Sequence, residues 1–180
     1  TGRRCPPGCA LRCGSVRDAS PYDDPVATLV LTVIGDDRAG LVNALAEAVS
    51  AHGGNWERSQ LAELAGKFAG LVVVTVPDER RAALVAALAP VPGLVVSAYE
   101  GAADAAEPRH PNLTLELVGN DRAGIVREVT RVLSRHGISI DTMTTETREA
   151  PMAGGLLFDA RLTAYVRPTT DLAGLRADLE

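Results

Sequence analysis

With 180 residues, 46% of them hydrophobic and 23% charged, the chain has the balance of a folded globular protein rather than a disordered one. A net charge of −5, with Lys67 the only lysine and the arginines scattered, argues against the clustered basic surface that nucleic-acid binding needs. No apolar run reaches the roughly 20 residues of a membrane-spanning helix, so a membrane is not an expected partner either.

Residues 1–24 hold all three cysteines, Cys5, Cys9 and Cys13, among prolines and glycines. A spacing of four would stack the thiols on a helix, but Pro6-Pro7-Gly8 forbids a regular one. A zinc site would want a fourth ligand and tighter pairs. The expectation is a flexible extension with no metal or other cofactor. The rest of the chain lacks cysteine, which makes a reducing cytoplasm the default compartment.

From residue 27 the pattern becomes regular. Leu29, Leu31 and Val33 alternate with Thr28, Val30 and Thr32, as a half-buried strand requires. Asp36 and Asp37 follow, where acidic residues cap a helix N-terminus. Leu41, Val42, Leu45, Ala48, Val49 and His52 then form one helical stripe, and Gly53-Gly54 ends it. Asn55–Leu64 reads as a second strand, Ala65-Gly66 as a turn, and Phe68–Val76 as a third strand. Pro77-Asp78 opens a second helix with Leu84, Val85 and Leu88 on its face; Pro90 and Pro92 stop it, and Leu94–Tyr99 makes a fourth strand. The order is βαββαβ, the ferredoxin-like split unit.

The pattern then repeats. Gly35-Asp36-Asp37-Arg38-Ala39-Gly40-Leu41-Val42 returns 84 positions later as Gly119-Asn120-Asp121-Arg122-Ala123-Gly124-Ile125-Val126. The flanking strand and helix keep that offset, which marks a duplicated domain. Expected are an extension over 1–24, a first domain over 25–100, a linker over 101–111 and a second domain over 112–180. Pro77, Leu84 and Leu88 correspond to Pro168, Leu175 and Leu179 at an offset of 91. Seven extra residues are therefore expected in a long hairpin around Arg148–Gly155. The fourth strand of the second copy would fall near residue 183, so that copy is expected to lack it and to leave the Leu113–Val118 edge for another chain, the extension or the other domain to cover. The fold class is α+β, two ferredoxin-like units with antiparallel sheets and two helices on one face of each.

The strand-to-helix turn is the candidate site. Backbone N–H groups there have no intrahelical partner and can bind a carboxylate. Gly40 and Gly124 let a ligand or a neighbouring chain approach the backbone. His52 and His136 close their helices and read as structural, and adjacent Asp37-Arg38 and Asp121-Arg122 read as solvated ion pairs.

The βαββαβ order with Asp-Arg-x-Gly-[Leu/Ile]-Val at its first turn resembles the ACT domain. Two copies with little else, together with Ala153–Arg161 after the long hairpin, resemble the glycine cleavage system transcriptional repressor family. The resemblance implies a non-catalytic regulatory module that binds an amino acid or similar metabolite and acts through a protein partner, as a homo-oligomer. It implies contacts from Asp36, Asp37, Arg38, Ala39, Gly40 and Leu41 in the first copy, and from Asn120, Asp121, Arg122, Ala123, Gly124 and Ile125 in the second. It also implies a contact from an Asn opening the second strand. That position is Asn55 in the first copy and Ser139 in the second. The family's loop proline is Ala39 and Ala123 here. The rival readings are a ligand-independent interaction module and a small enzyme of the same fold.

Overall fold

The computed structural model describes residues 25–101, 111–150 and 155–180. The chain divides into two units. The first contains β1 (Val26–Asp36), α1 (Leu41–Ala51), β2 (Asn55–Leu64), β3 (Lys67–Pro77), α2 (Arg81–Leu88) and β4 (Leu94–Glu100), with a 3-10 turn at Asp78–Arg80 before α2. The second contains β5 (Leu113–Asn120), α3 (Ile125–Arg135), β6 (Ser139–Glu149), β7 (Leu156–Tyr165) and α4 (Leu172–Leu179). The predicted extension with its three cysteines lies outside the described residues, as do most of the linker and residues 151–154 of the hairpin.

Unit one is a four-stranded antiparallel sheet ordered β2-β3-β1-β4. Period two puts Leu29, Leu31 and Val33 of β1 beside Val72, Val74 and Val76 of β3, all at most 3% exposed. The helices lay Leu41, Leu45, Val49, Leu84 and Leu88 onto that face, and Val91 and Leu94 close the end. Fully burying each such aliphatic side chain contributes about 1.5–3 kcal/mol before chain entropy is charged against it. Val42 and Val85, expected on the buried helix faces, are instead 43% and 40% exposed. Each sits at the margin of its stripe, where Leu41 and Leu84 next to them take the core position.

Unit two has three strands, ordered β5-β7-β6, and no described strand beyond β5. Its core is Val129, Val132, Leu133, Ile138, Leu162, Ala164, Val166 and Leu175. The seven extra residues are not all in the hairpin. Leu29 pairs with Val74, while Leu113 pairs with Ala164, so β3 and β7 correspond at an offset of 90. Six residues lengthen the hairpin, and the seventh lies between β7 and α4. There Val166-Arg167-Pro168 replaces Val76-Pro77, so Arg167 is the added residue. Both second strands carry a bulge at the same repeat position, with Glu57 the extra residue in β2 and Asp141 in β6.

Candidate functional site

The two strand-to-helix turns share one backbone design. Gly40 is the N-cap of α1 at φ 93° and Gly124 the N-cap of α3 at φ 90°. In that left-handed region an L side chain costs roughly 1–2 kcal/mol, so glycine is selected by backbone shape. A Cβ at either position would meet no heavy atom within 4 Å. The space in front of both turns is open.

Neither helix is capped by a side chain. The aspartates expected to cap do other work. Asp36 belongs to the end of β1 and pairs with Lys67, whose hydrogen bond holds the Asp36 carboxyl below the usual carboxylate range. Asp37 N–H donates to the Gly66 carbonyl at 3.0 Å, and Asp121 N–H to the Leu156 carbonyl at 2.8 Å, so each turn is pinned to the neighbouring hairpin through its backbone. Ile125 N–H donates to the Arg122 carbonyl at 3.3 Å, and no side-chain carboxylate caps either helix, so the first turns of α1 and α3 keep a partial positive charge. By contrast α4 caps itself. The Asp171 carboxylate accepts from Ala173 N–H at 3.1 Å and Gly174 N–H at 3.0 Å.

The arginines do not pair with the adjacent aspartates. Arg38 Nη2 donates to the Pro92 carbonyl at 2.5 Å, tying the first turn to the segment before β4. Arg122 forms a two-pronged ion pair with Glu128 on the first turn of α3. That bond holds the Glu128 carboxyl below its ordinary range and raises the guanidinium. Leu41 is 3% exposed, so it can offer a ligand only its backbone. Ile125 is half-buried and lines a cavity of about 440 Å³ with Asn120, Arg122, Glu128 and Phe158.

The structure does not bring all the expected site residues together. Asp36 stands opposite Lys67 in the sheet, whereas Asn55 stands opposite Thr75, eight residues further along β3. At about 3.3 Å per residue that separation is roughly 26 Å. In unit two Asn120 faces Leu157 and Ser139 faces Tyr165, again eight residues apart on β7. No amino acid spans that distance within one unit. Asn55 is also already engaged: its Nδ2 donates to Glu57 at 2.7 Å, and Thr75 donates to the same carboxylate oxygen at 2.8 Å. These two bonds keep the Glu57 carboxyl below its usual range. Trp56 packs against the core of its own unit. The histidines are the helix C-caps they were read to be. His52 Nδ1 lies 2.8 Å from the Ala48 carbonyl, and His136 Nε2 lies 3.0 Å from Asp178. No cluster of three or more metal-ligating side chains occurs among the described residues.

Comparison with known families decides what these turns belong to. Residues 27–92 match one ACT domain model and residues 113–175 match another. The chain belongs to the ACT-domain family. Both matched ranges contain the turn described above, and tandem ACT units account for most of the length. A crystal structure of an unknown protein from Galdieria sulphuraria is 31% identical at a TM-score of 0.70, over 86% of this chain and 90% of that one. A "putative glycine cleavage system transcriptional repressor" is 18% identical at a TM-score of 0.57, over 85% of this chain and 88% of that one, a likeness of fold. No curated protein matches the chain. ACT domains are small-molecule-binding regulatory modules, and the two units here share that architecture. No described helix is long and apolar enough to cross a membrane.

Proposed function

We propose that this tandem ACT protein is a non-catalytic regulator that binds an amino acid through the α1 and α3 turns. The supporting observation is the contrast among its helix N-termini. Two are left uncapped behind a positive-φ glycine with open space in front, while α4 fills its own N-terminus with Asp171. A carboxylate placed before Gly40 or Gly124 would accept from first-turn N–H groups and complement the helix dipole. The opening residues of β2 and β6 lie at the far end of each sheet, so they serve a ligand held by another unit's turn. A second copy of the chain supplies that unit, making ligand and assembly interdependent. Asn55 offers an amide for a polar ligand group, and Ser139 offers a shorter hydroxyl that reaches less far. The first unit is therefore the stronger binding partner of the pair. Control of glycine-related gene expression, suggested by the repressor resemblance, would run through a protein partner, since the chain's charge disfavours DNA.

A thermal-shift screen of the amino acids tests the reading. A ligand present at 100 times its Kd stabilises by about 2.7 kcal/mol. A selective rise is expected, lost in Gly40→Val, whose side chain enters the open space before the turn. Flat responses to every amino acid would overturn ligand binding and favour an interaction module. A response undiminished in folded Gly40→Val would remove the turn from the site.

A further inference from the structure

The duplication allows one sheet face to be compared between the units at matched positions. In each unit the helices cover one side of the sheet, and the unit's own elements leave the other side free. On β1 the free side carries Val30, Thr32 and Ile34, because Leu29, Leu31 and Val33 point into the core. Strand pairing extends it across unit one. Val95, Ile34, Ala69 and Ala62 stand abreast in one row, and Tyr99, Val30 and Val73 in another. Leu71 lies between the rows beside Thr32, which stands opposite Ser97, a pairing in which hydroxyls can bond to each other. Ile34, Leu71, Val95 and Tyr99 are 47–68% exposed, so the apolar surface is contiguous and open. Charge stands only at its margin, with Asp36 and Lys67 at one end and Glu57 and Arg58 towards the other.

Unit two builds the opposite surface on the three strands common to both. The offsets of 84 for β5 and β6 and 90 for β7 put Thr114 for Val30, Arg161 for Leu71 and Thr163 for Val73. Asp159 stands for Ala69 and Glu146 for Ala62, while Val118 for Ile34 keeps the apolar type. These polar groups satisfy one another. Arg161 Nη2 donates to Glu116 at 2.6 Å, Arg148 pairs with Asp159, and the Thr142 and Thr163 hydroxyls lie 2.6 Å apart. One backbone therefore carries either surface, and folding alone does not require the apolar one.

We propose that the free face of unit one's sheet packs on the same face of a second copy, as a two-fold, sheet-on-sheet dimer that forms without ligand. Four strands at about 4.8 Å give a width of roughly 19 Å, and seven to ten residues give a length of roughly 24–34 Å. That is about 450–650 Å² a side and about 900–1,300 Å² for the pair, the size at which a specific interface becomes stable. An apolar centre within a polar rim is the anatomy of such an interface. The rim's two acids and two bases sum to no net charge, so the face meets itself without repulsion. The rest of the 180 residues suits it less. Residues 1–24 have only Leu11 and Val16 as large aliphatics, and residues 102–110 have none. Unit two's sheet face would lose the water around its ion pairs, and α3 presents Arg127, Arg131 and Arg135.

Sedimentation equilibrium of the 180-residue chain without amino acids, across the micromolar range, is expected to show monomer and dimer in exchange. Since no ligand is present, an assembly that needs one does not enter the result. Leu71→Arg gives unit one the residue that unit two carries at the same place, and at a half-exposed position the monomer accommodates it. In the dimer it buries an unpaired guanidinium from each copy, and the dissociation constant should rise at least a hundredfold. Should that variant fail to fold, Val30→Thr with Val73→Thr keeps β-branched side chains and again copies unit two; it should raise the constant at least tenfold. Hydroxyl-radical footprinting locates the contact. Protection of Ile34, Leu71 and Tyr99 should grow with protein concentration, while Val85, on the helix side of the same unit, stays reactive. A chain that stays monomeric, a dimer undiminished in a folded variant, or no protection at those three residues would overturn the proposal.

Discussion

Gly35 and Gly119 stand at the same place in the two repeats, and alanine at each should have opposite effects. At Gly35 the new methyl would lie 2.0 Å from the Gly93 carbonyl oxygen and 3.2 Å from Leu94 Cδ2. The first of these is backbone, so the contact is relieved only by prising β4 from β1. Overpacking of this kind costs about 1–3 kcal/mol. At about 4–8 °C per kcal/mol for a domain of this size, a cost of about 2 kcal/mol lowers the unfolding midpoint of unit one by roughly 8–16 °C. At Gly119 the methyl meets only Ile125 Cδ1, at ordinary contact distance. Replacing a strand glycine there recovers about 0.5–1 kcal/mol of backbone entropy, and unit two should gain a few degrees. Scanning calorimetry gives the midpoints, and hydrogen exchange assigns each transition to its unit. Equal losses in the two variants would refute the reasoning, because Gly119 would then be packed as tightly as Gly35.

Two further outcomes concern unit two. Asp171→Ala removes the only side-chain cap seen on its helices and should cost about 0.5–2 kcal/mol, read as faster exchange in α4 with α1 unaffected. The His136 hydrogen bond holds the Asp178 carboxyl below its usual range. A depressed folded-state pKa means that its contribution is present above the unfolded value and is lost as pH falls through the folded one. His136→Ala should move the Asp178 midpoint, followed by carboxyl NMR, upward; an unmoved midpoint would acquit His136 as the cause.

Much of the fold was legible because it rests on periodicity. Alternation at Leu29, Leu31 and Val33 and the stripe through Leu45 and Val49 have one way to be buried, and the repeat transfers it to the second unit. The division of the insertion was less legible. Matching Pro77 to Pro168 aligns helix starts, but only strand pairing shows that Arg167 was added after β7. The turn's role as an uncapped helix start was half legible. An acid before a helix ordinarily signals a cap, yet a glycine at positive φ takes the N-cap place here and leaves Asp36 to Lys67. The distance between the turn and Asn55 follows from topology rather than residue type. A strand that begins where its helix ends must start at the opposite end of the sheet, a signal available from the element order alone. Engagement of Asn55 by the bulge residue Glu57 had no sequence signal, because a bulge is a mismatch between two strands.

That bulge has a bearing on assembly. β6 carries it at Asp141, and its exposed residues are all polar or charged, so a straight neighbour cannot lie flat along its full length. The opposite border of the sheet, β5, is unbroken in register and presents leucines on alternate positions. Filament growth by strand addition needs two receptive borders, one to give and one to take. Unit two has at most one. Whatever lies beside β5, copies of the unit therefore cannot polymerise by strand addition through β6.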